Sequence, residues 1–296
     1  MITVFTFPGQ GAQRPGMFGN LPEDPGTADR LAEASEVLQQ DIRSLDTQEA
    51  FGNSRNVQLA LLISGVVWGE YLLRLDVRPE YVLGLSIGAY PAAVLSGCME
   101  FEDALHIVDL RGSLMQRAYP SGYGMMALTG PTQSEVEKAV HSGYLAGQEV
   151  YLANINGEGQ FVLAGKLEAL VETEACIRSR VPCSGQLLQV PVPSHCELLD
   201  SQADALSEEL EKVQMARPNI KYVSPSAARV LHNVDDIRSD LARNMSRQMR
   251  WYETSMMLVE RGLERAIEMP PGSTLSNLFR RAMPSGVCVS ASEIRP

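Results

Sequence analysis

Tyr81-Val82-Leu83-Gly84-Leu85-Ser86-Ile87-Gly88-Ala89 is the stretch that decides the fold. A short apolar run suited to a strand enters a G-x-S-x-G pentapeptide, and the residues through Leu95 continue with a helical pattern. A strand that turns so sharply into a helix throws the central serine onto an exposed, strained corner of an α/β sheet. The Ser86 hydroxyl then stands clear of the sheet, and the backbone N–H of Ile87 points toward whatever that hydroxyl attacks. The same letters fit an ordinary strand–glycine–helix turn with a satisfied serine, so the rest of the chain must supply the partners.

Working outward, short apolar strands alternate with helical patterns. The spacing predicts strands over 2–7 and 81–85 and helices over 58–75, 87–95 and 101–118, the last with Glu102 and Asp103 in its first turn. Such alternation implies a mostly parallel sheet with helices on both faces. Tyr119-Pro-Ser-Gly-Tyr-Gly124 is a cluster of helix and strand breakers and a plausible boundary. Beyond it the pattern becomes strand 125–129, helix 133–142, a hairpin of 150–154 with 161–164 around Asn156-Gly-Glu-Gly159, helix 167–178 and strand 186–192. This β-α-β-β-α-β order is the ferredoxin-like arrangement. The expected organisation is therefore a core of residues 1–123 and 193–296 with an inserted subdomain over 124–192. Past Pro193 the α/β pattern resumes with helices 198–213, 237–244, 252–261 and 273–282 and a strand at 266–269.

The 296-residue chain, 45% hydrophobic, is long enough to bury a large core. A formal charge of −11 leaves no basic stripe for nucleic acid, and the arginines gathered between Arg238 and Arg281 read as solvated helix faces. Residues 57–75 are the one candidate membrane span, but Gln58, Ser64, Gly65, Gly69 and Glu70 interrupt it, so a buried core helix and no membrane are expected. Five cysteines without a C-x-x-C pair and four scattered histidines predict a reducing, cytoplasmic setting and no metal site. The first residues run straight into Pro8-Gly9 and read as a strand rather than a signal peptide.

A serine hydroxyl becomes a useful nucleophile only when a base takes its proton. Of the four histidines, His106 lies inside an amphipathic helix, His141 at a helix end, and His232 in a loop to which nothing else points. His195 differs: it follows Val190-Pro-Val-Pro-Ser, where two prolines pin the backbone as the chain returns to the core. Acyl transfer also needs donors for a tetrahedral oxyanion, worth about two to three decades in rate per donor. Ile87 N–H is one candidate. The glycine-rich loop Pro8-Gly9-Gln10-Gly11-Ala12-Gln13 after the first strand can bring a second, and it lacks the lysine of a phosphate-binding loop. Arg111 sits among apolar neighbours with Gly112 beside it. Its planar fork suits a carboxylate, although Arg111 judged alone reads first as an ordinary ion pair to Asp109 or Glu102.

Together these segments resemble the malonyl-CoA:acyl-carrier-protein transacylase family. The resemblance runs through F-P-G-Q-G-A-Q at Phe7–Gln13, G-x-S-x-G at Gly84–Gly88, R-G-x-L-M-Q at Arg111–Gln116, V-P-S-H at Val192–His195, Arg250-Trp251, and P-P-G-x-x-L at Pro270–Leu275. It implies an α/β-hydrolase-like core with a ferredoxin-like insertion. It also implies Ser86 as the acylated nucleophile, His195 as its base, Arg111 on the malonyl carboxylate, and the N–H groups of Gln10 and Ile87 on the oxyanion. Gln58 matches a pocket glutamine, and Asn244 falls where the family commonly has a glutamine that orients the histidine. The resemblance implies malonyl-CoA as donor and the prosthetic group of an acyl carrier protein as acceptor, with no bound cofactor.

Two positions depart from the family pattern. Leu85 stands where a histidine usually precedes the serine, and Ala89 where glutamate often follows the second glycine. Gly-Leu-Ser-Ile-Gly-Ala-Tyr looks like the epsilon subunit of biotin-independent malonate decarboxylase, whose acceptor is a small carrier subunit and whose partners include the other decarboxylase subunits. The alternatives are the transacylase of fatty-acid or polyketide synthesis, a serine thioesterase or esterase, and a non-catalytic carrier-binding subunit. An esterase has no need of Arg111, and normally wants an acidic residue between serine and histidine in chain order.

Overall fold

The computed structural model describes residues 1–119 and 121–294. Pro120, in the breaker cluster, and residues 295–296, at the end of the second core segment, lie outside the described residues. The first part runs β1 (Thr3–Phe7), α1 (Pro25–Val37), α2 (Ser54–Arg74), β2 (Tyr81–Gly84), α3 (Ala89–Leu95) and α4 (Phe101–Ala118). The middle is β3 (Tyr123–Thr129), α5 (Gln133–Leu145), β4 (Val150–Gly157), β5 (Gln160–Lys166), α6 (Leu167–Arg178) and β6 (Ser184–Leu187). The last part runs α7 (Asp200–Leu210), β7 (Lys221–Ser224), β8 (Arg229–Leu231), α8 (Val234–Arg243), α9 (Trp251–Glu260), β9 (Arg265–Glu268), α10 (Thr274–Ala282) and β10 (Val287–Ser290).

Six strands form the larger sheet in the order β10-β9-β1-β2-β7-β8, parallel throughout except for the β7–β8 hairpin. Every residue of β1 and β2 is buried, which is what a central parallel strand covered on both faces requires. Alternate side chains separate accordingly. Phe5, Phe7 and Val82 pack into the cluster of α2, α3 and α4, whereas Val4, Tyr81 and Leu83 face α9 and α10. Helix α2 is long and apolar enough to cross a membrane, but 78% of its apolar window is buried inside the fold. An all-round apolar helix belongs in such a core.

The smaller sheet is antiparallel, in the order β4-β5-β3-β6, with α5 and α6 on one face. Renumbered within the segment this is the ferredoxin-like order read from the sequence. The last strand is displaced, however: it is β6 at Ser184–Leu187 rather than 186–192. Pro191 and Pro193 have no N–H to give a ladder, so the chain leaves the sheet and crosses to the core. The predicted helix 198–213 is likewise shorter, a 3-10 turn at Glu197–Leu199 followed by α7. Sequence reading did not single out α1, β7, β8 or β10.

Candidate active site

The turn at Ser86 is as tight as its glycines imply. A Cβ on Gly84 would lie 2.0 Å from the carbonyl carbon of Gly88, and one on Gly88 would lie 2.1 Å from the Phe7 carbonyl oxygen. Both positions therefore exclude any side chain. Ser86 itself has φ of 56°, a left-handed conformation that costs a non-glycine residue free energy and holds its side chain at the corner. Ile87 follows as the second residue of a 3-10 turn, where backbone N–H groups have no partner within the turn. Gly9 packs against this corner, so the loop after β1 and the elbow after β2 meet at the carboxyl ends of two neighbouring central strands.

His195 arrives from the crossing segment and is 4% exposed. Its φ of 66° is also left-handed, and its N–H donates to the Met245 carbonyl at 2.6 Å. The ring Nδ1 lies 2.7 Å from the backbone carbonyl oxygen of Asn244. A carbonyl oxygen only accepts, so Nδ1 carries the hydrogen and Nε2 keeps its lone pair. Burial pushes the imidazole pKa down to about 4; the Asn244 hydrogen bond opposes this shift and the nearby Arg111 charge adds to it. At neutral pH the ring is thus an uncharged base with a defined tautomer. His195 and Ser86 line the same cavity without bonding to each other.

Arg111 is fully buried on α4. Gly112 lets α4 lie against the backbone of Arg55 on α2, where a Cβ would come within 2.4 Å of Arg55 Cα. Asp109 pairs with Arg55, so the ion pair that the sequence allowed for Arg111 does not form. The guanidinium instead donates to Gln58 Oε1 at 2.5 Å, Asn244 Oδ1 at 3.1 Å and Ser86 Oγ at 3.3 Å. The Tyr90 ring lies 5.8 Å from it, and its Nε has no partner. Desolvation lowers the Arg111 pKa. A buried cation that meets only neutral acceptors and opens on a cavity is built to receive an anion.

The cavity, about 70 Å³, is lined by residues that include Gln10, Leu85, Ser86, Ile87, Arg111 and His195. Gln10 lines the cavity and is anchored through its side-chain oxygen, which accepts from Ser54 Oγ at 3.0 Å. Gln58 and Asn244 do not line it. Gln58 backs the guanidinium, while Asn244 bonds Arg111, His195 and, through Nδ2 at 3.4 Å, the Ser86 carbonyl. Asn154 of β4 also lines the cavity, a residue that sequence reading passed over. Its only signal was a polar side chain at a strand position between Ala153 and Ile155.

A buried neutral imidazole, a serine at a strained corner and a guanidinium held only by neutral acceptors, around one small cavity, form an arrangement suited to serine-dependent acyl transfer. Residues 4–296 match the acyl transferase domain family, and the chain belongs to that family and is an acyltransferase. It is 33% identical to the malonyl CoA-acyl carrier protein transacylase of Escherichia coli O157:H7, over 94% of this chain and 92% of that protein. The crystal structure of FabD from Acinetobacter baumannii superposes with a TM-score of 0.93 at 32% identity, covering 98% of this chain and 96% of the other. A malonyl-transacylase solved in complex with its type II PKS acyl-carrier protein superposes at 0.90 and 31% identity, covering 98% and 94%.

Proposed function

We propose that the protein transfers a malonyl group from malonyl-CoA, through an ester on Ser86, to the prosthetic-group thiol of a carrier protein. The observation that carries this reading is Arg111: its charge is buried beside Ser86 Oγ, with no acid partner among the described residues. Among acyl groups, one ending in a carboxylate answers that charge, while acetyl would leave it unpaired at a cost of about 1–3 kcal/mol. The named activity of the relatives above supports the same donor and acceptor.

In the first half-reaction His195 Nε2 takes the Ser86 proton as Oγ attacks the thioester carbonyl carbon. The resulting oxyanion accepts from the N–H groups of Gln10 and Ile87. It collapses by breaking the carbon–sulfur bond, and the departing thiolate takes the proton from His195. The carrier thiol then runs the sequence in reverse, giving its proton to His195 and attacking the malonyl-serine. Asn244 keeps His195 in the required tautomer, and Gln58 holds Arg111. Intact mass after mixing with malonyl-CoA tests the nucleophile: the wild type gains one malonyl group and Ser86→Ala gains none. An adduct that persists in Ser86→Ala would overturn the assignment.

For the acceptor we favour the carrier subunit of a biotin-independent malonate decarboxylase over the carrier of fatty-acid or polyketide synthesis. The support is local: Leu85 puts an apolar wall on the cavity beside Ser86, and Ala89 follows Gly88. Offering malonyl-Ser86 enzyme the two kinds of carrier checks this, with faster transfer to the decarboxylase carrier expected. Equal or faster transfer to the fatty-acid carrier would reverse it.

A further inference from the structure

We propose that Gln248 is a positioning residue for the base: it ties the segment that holds His195 to the edge of the small sheet. The inference rests on the reading of His195 as the base for Ser86 and adds what fixes that base in place.

His195 has a left-handed backbone, a conformation that persists only where the surroundings hold it. Two consecutive carbonyls do so. Met245 O accepts from its N–H at 2.6 Å, and Asn244 O faces its Nδ1 at 2.7 Å. Both belong to the 3-10 turn Asn244–Ser246 that follows α8. An imidazole held by a turn is only as fixed as the turn itself. On the near side the turn is steadied through α8, where the buried Tyr90 hydroxyl donates to the Leu241 carbonyl at 2.8 Å. On the far side the chain runs along β4.

β4 is an outer strand of the small sheet, so the edge it turns away from β5 carries backbone groups in need of partners. Gln248 and Met249 supply them. Met249 N–H donates to the Ala153 carbonyl, and its own carbonyl accepts from Ile155 N–H, both at 2.8 Å. Gln248 adds a side-chain bond, Nε2 donating to the Leu152 carbonyl at 2.8 Å. These three bonds span a bulge. Opposite β5, Leu152 pairs with Leu163 and Asn154 with Val162, so Ala153 is an extra residue in β4. It turns Asn154 from the layer of α5 and α6, which Val150 and Leu152 face, to the cavity wall. One short run of chain thus joins the base to the strand that carries part of that wall. The two Met249 bonds are backbone bonds and survive any side chain at 248, so the segment stays docked without Gln248. What Gln248 adds is the exact seat of the turn just before it. A displacement of about 1 Å at a site of proton transfer can cost as much as a hundredfold in rate.

Three variants test this. Gln248→Met keeps the length and removes the donor, Gln248→Ala removes both, and Gln248→Lys returns an N–H that reaches the same carbonyl. Malonylation of Ser86 by malonyl-CoA is followed in a single turnover. The saturating rate and the half-saturating donor concentration are read separately, per mole of malonyl-enzyme finally formed, so a loss of folded protein cancels. The Met and Ala variants are expected to lower the saturating rate about three- to tenfold with half-saturation unchanged. Gln248→Lys should recover it to within about twofold of the wild type. Return of the malonyl group from Ser86 to coenzyme A uses the same base and should slow by the same factor. An unchanged saturating rate in Gln248→Met, a change confined to half-saturation, or a loss that Gln248→Lys does not recover would overturn the proposal and leave the malonyl reading standing. A wild type that forms no malonyl-Ser86 would overturn both.

Discussion

Arg111 and Asp240 are both buried ionisable side chains that form no ion pair among the described residues, and the fold treats them in opposite ways. Asp240, on α8, accepts from Tyr222 Oη at 2.8 Å, from Ser224 Oγ at 2.6 Å and from Ser226 Oγ. Burial raises its pKa, and these three hydrogen bonds oppose the rise. Arg111 is left with an unpartnered Nε and a face open to Ser86. A satisfied buried charge fastens structure; an unsatisfied one beside a cavity is a receptor. The two meet through α8, because Asn244, one turn beyond Asp240, contacts Arg111, Ser86 and His195.

The contrast breaks most visibly at Arg111. Arg111→Ala is expected to slow malonylation of Ser86 about a hundredfold or more while sparing transfer from acetyl-CoA. Stopped-flow acylation with both donors checks this, and undiminished discrimination against acetyl would remove the receptor role. Asp240→Ala should act on stability instead, costing about 2–4 kcal/mol in urea unfolding. The malonyl-to-acetyl ratio of the protein that remains folded should not change. A ratio that collapses in Asp240→Ala would make the two charges one functional unit.

The same charges bear on pH. His195 falls from an ordinary pKa of 6.5 to about 4 on folding. Between these values the unfolded chain binds a proton that the native ring refuses, so stability contributed by the neutral ring is present above pH 6.5 and is lost as pH falls toward 4. Acylation rates should hold through mildly acidic pH and fall near pH 4. Because Arg111 helps to depress that pKa, removing its charge should move the acid limb upward. A limb that stays in place would mean that burial alone sets the base. The smallest effect is expected at Leu85, where Leu85→His restores the usual family residue. A change of about tenfold or less in carrier preference, read from transfer rates to the two carriers, would sharpen the choice of pathway.

The elbow was legible because its requirements are local. Gly84 and Gly88 sit where any side chain would collide with backbone, and that need is written at fixed spacing. Alternation between apolar strands and helices announced the parallel sheet for the same reason. Helix α1 was missed although Asp24 caps it and Pro25 opens it, because its apolar face is weak. Strand β6 was misplaced because its residues are all exposed and carry no alternation.

The sequence by itself determined the strand–turn–helix corner at Ser86, singled out His195 and Arg111 as candidates for base and cation, and set the order of the segments. Those follow from backbone sterics and hydrophobic period, which act over a few residues. Only the tertiary structure decided that Asp109 turns to Arg55 and leaves Arg111 unpaired, and that Asn244 orients His195 through a backbone oxygen. It also decided that one extra residue in β4 brings Asn154 to the cavity. Each of these depends on which groups meet across long separations in the chain, and on which of them burial leaves without a partner.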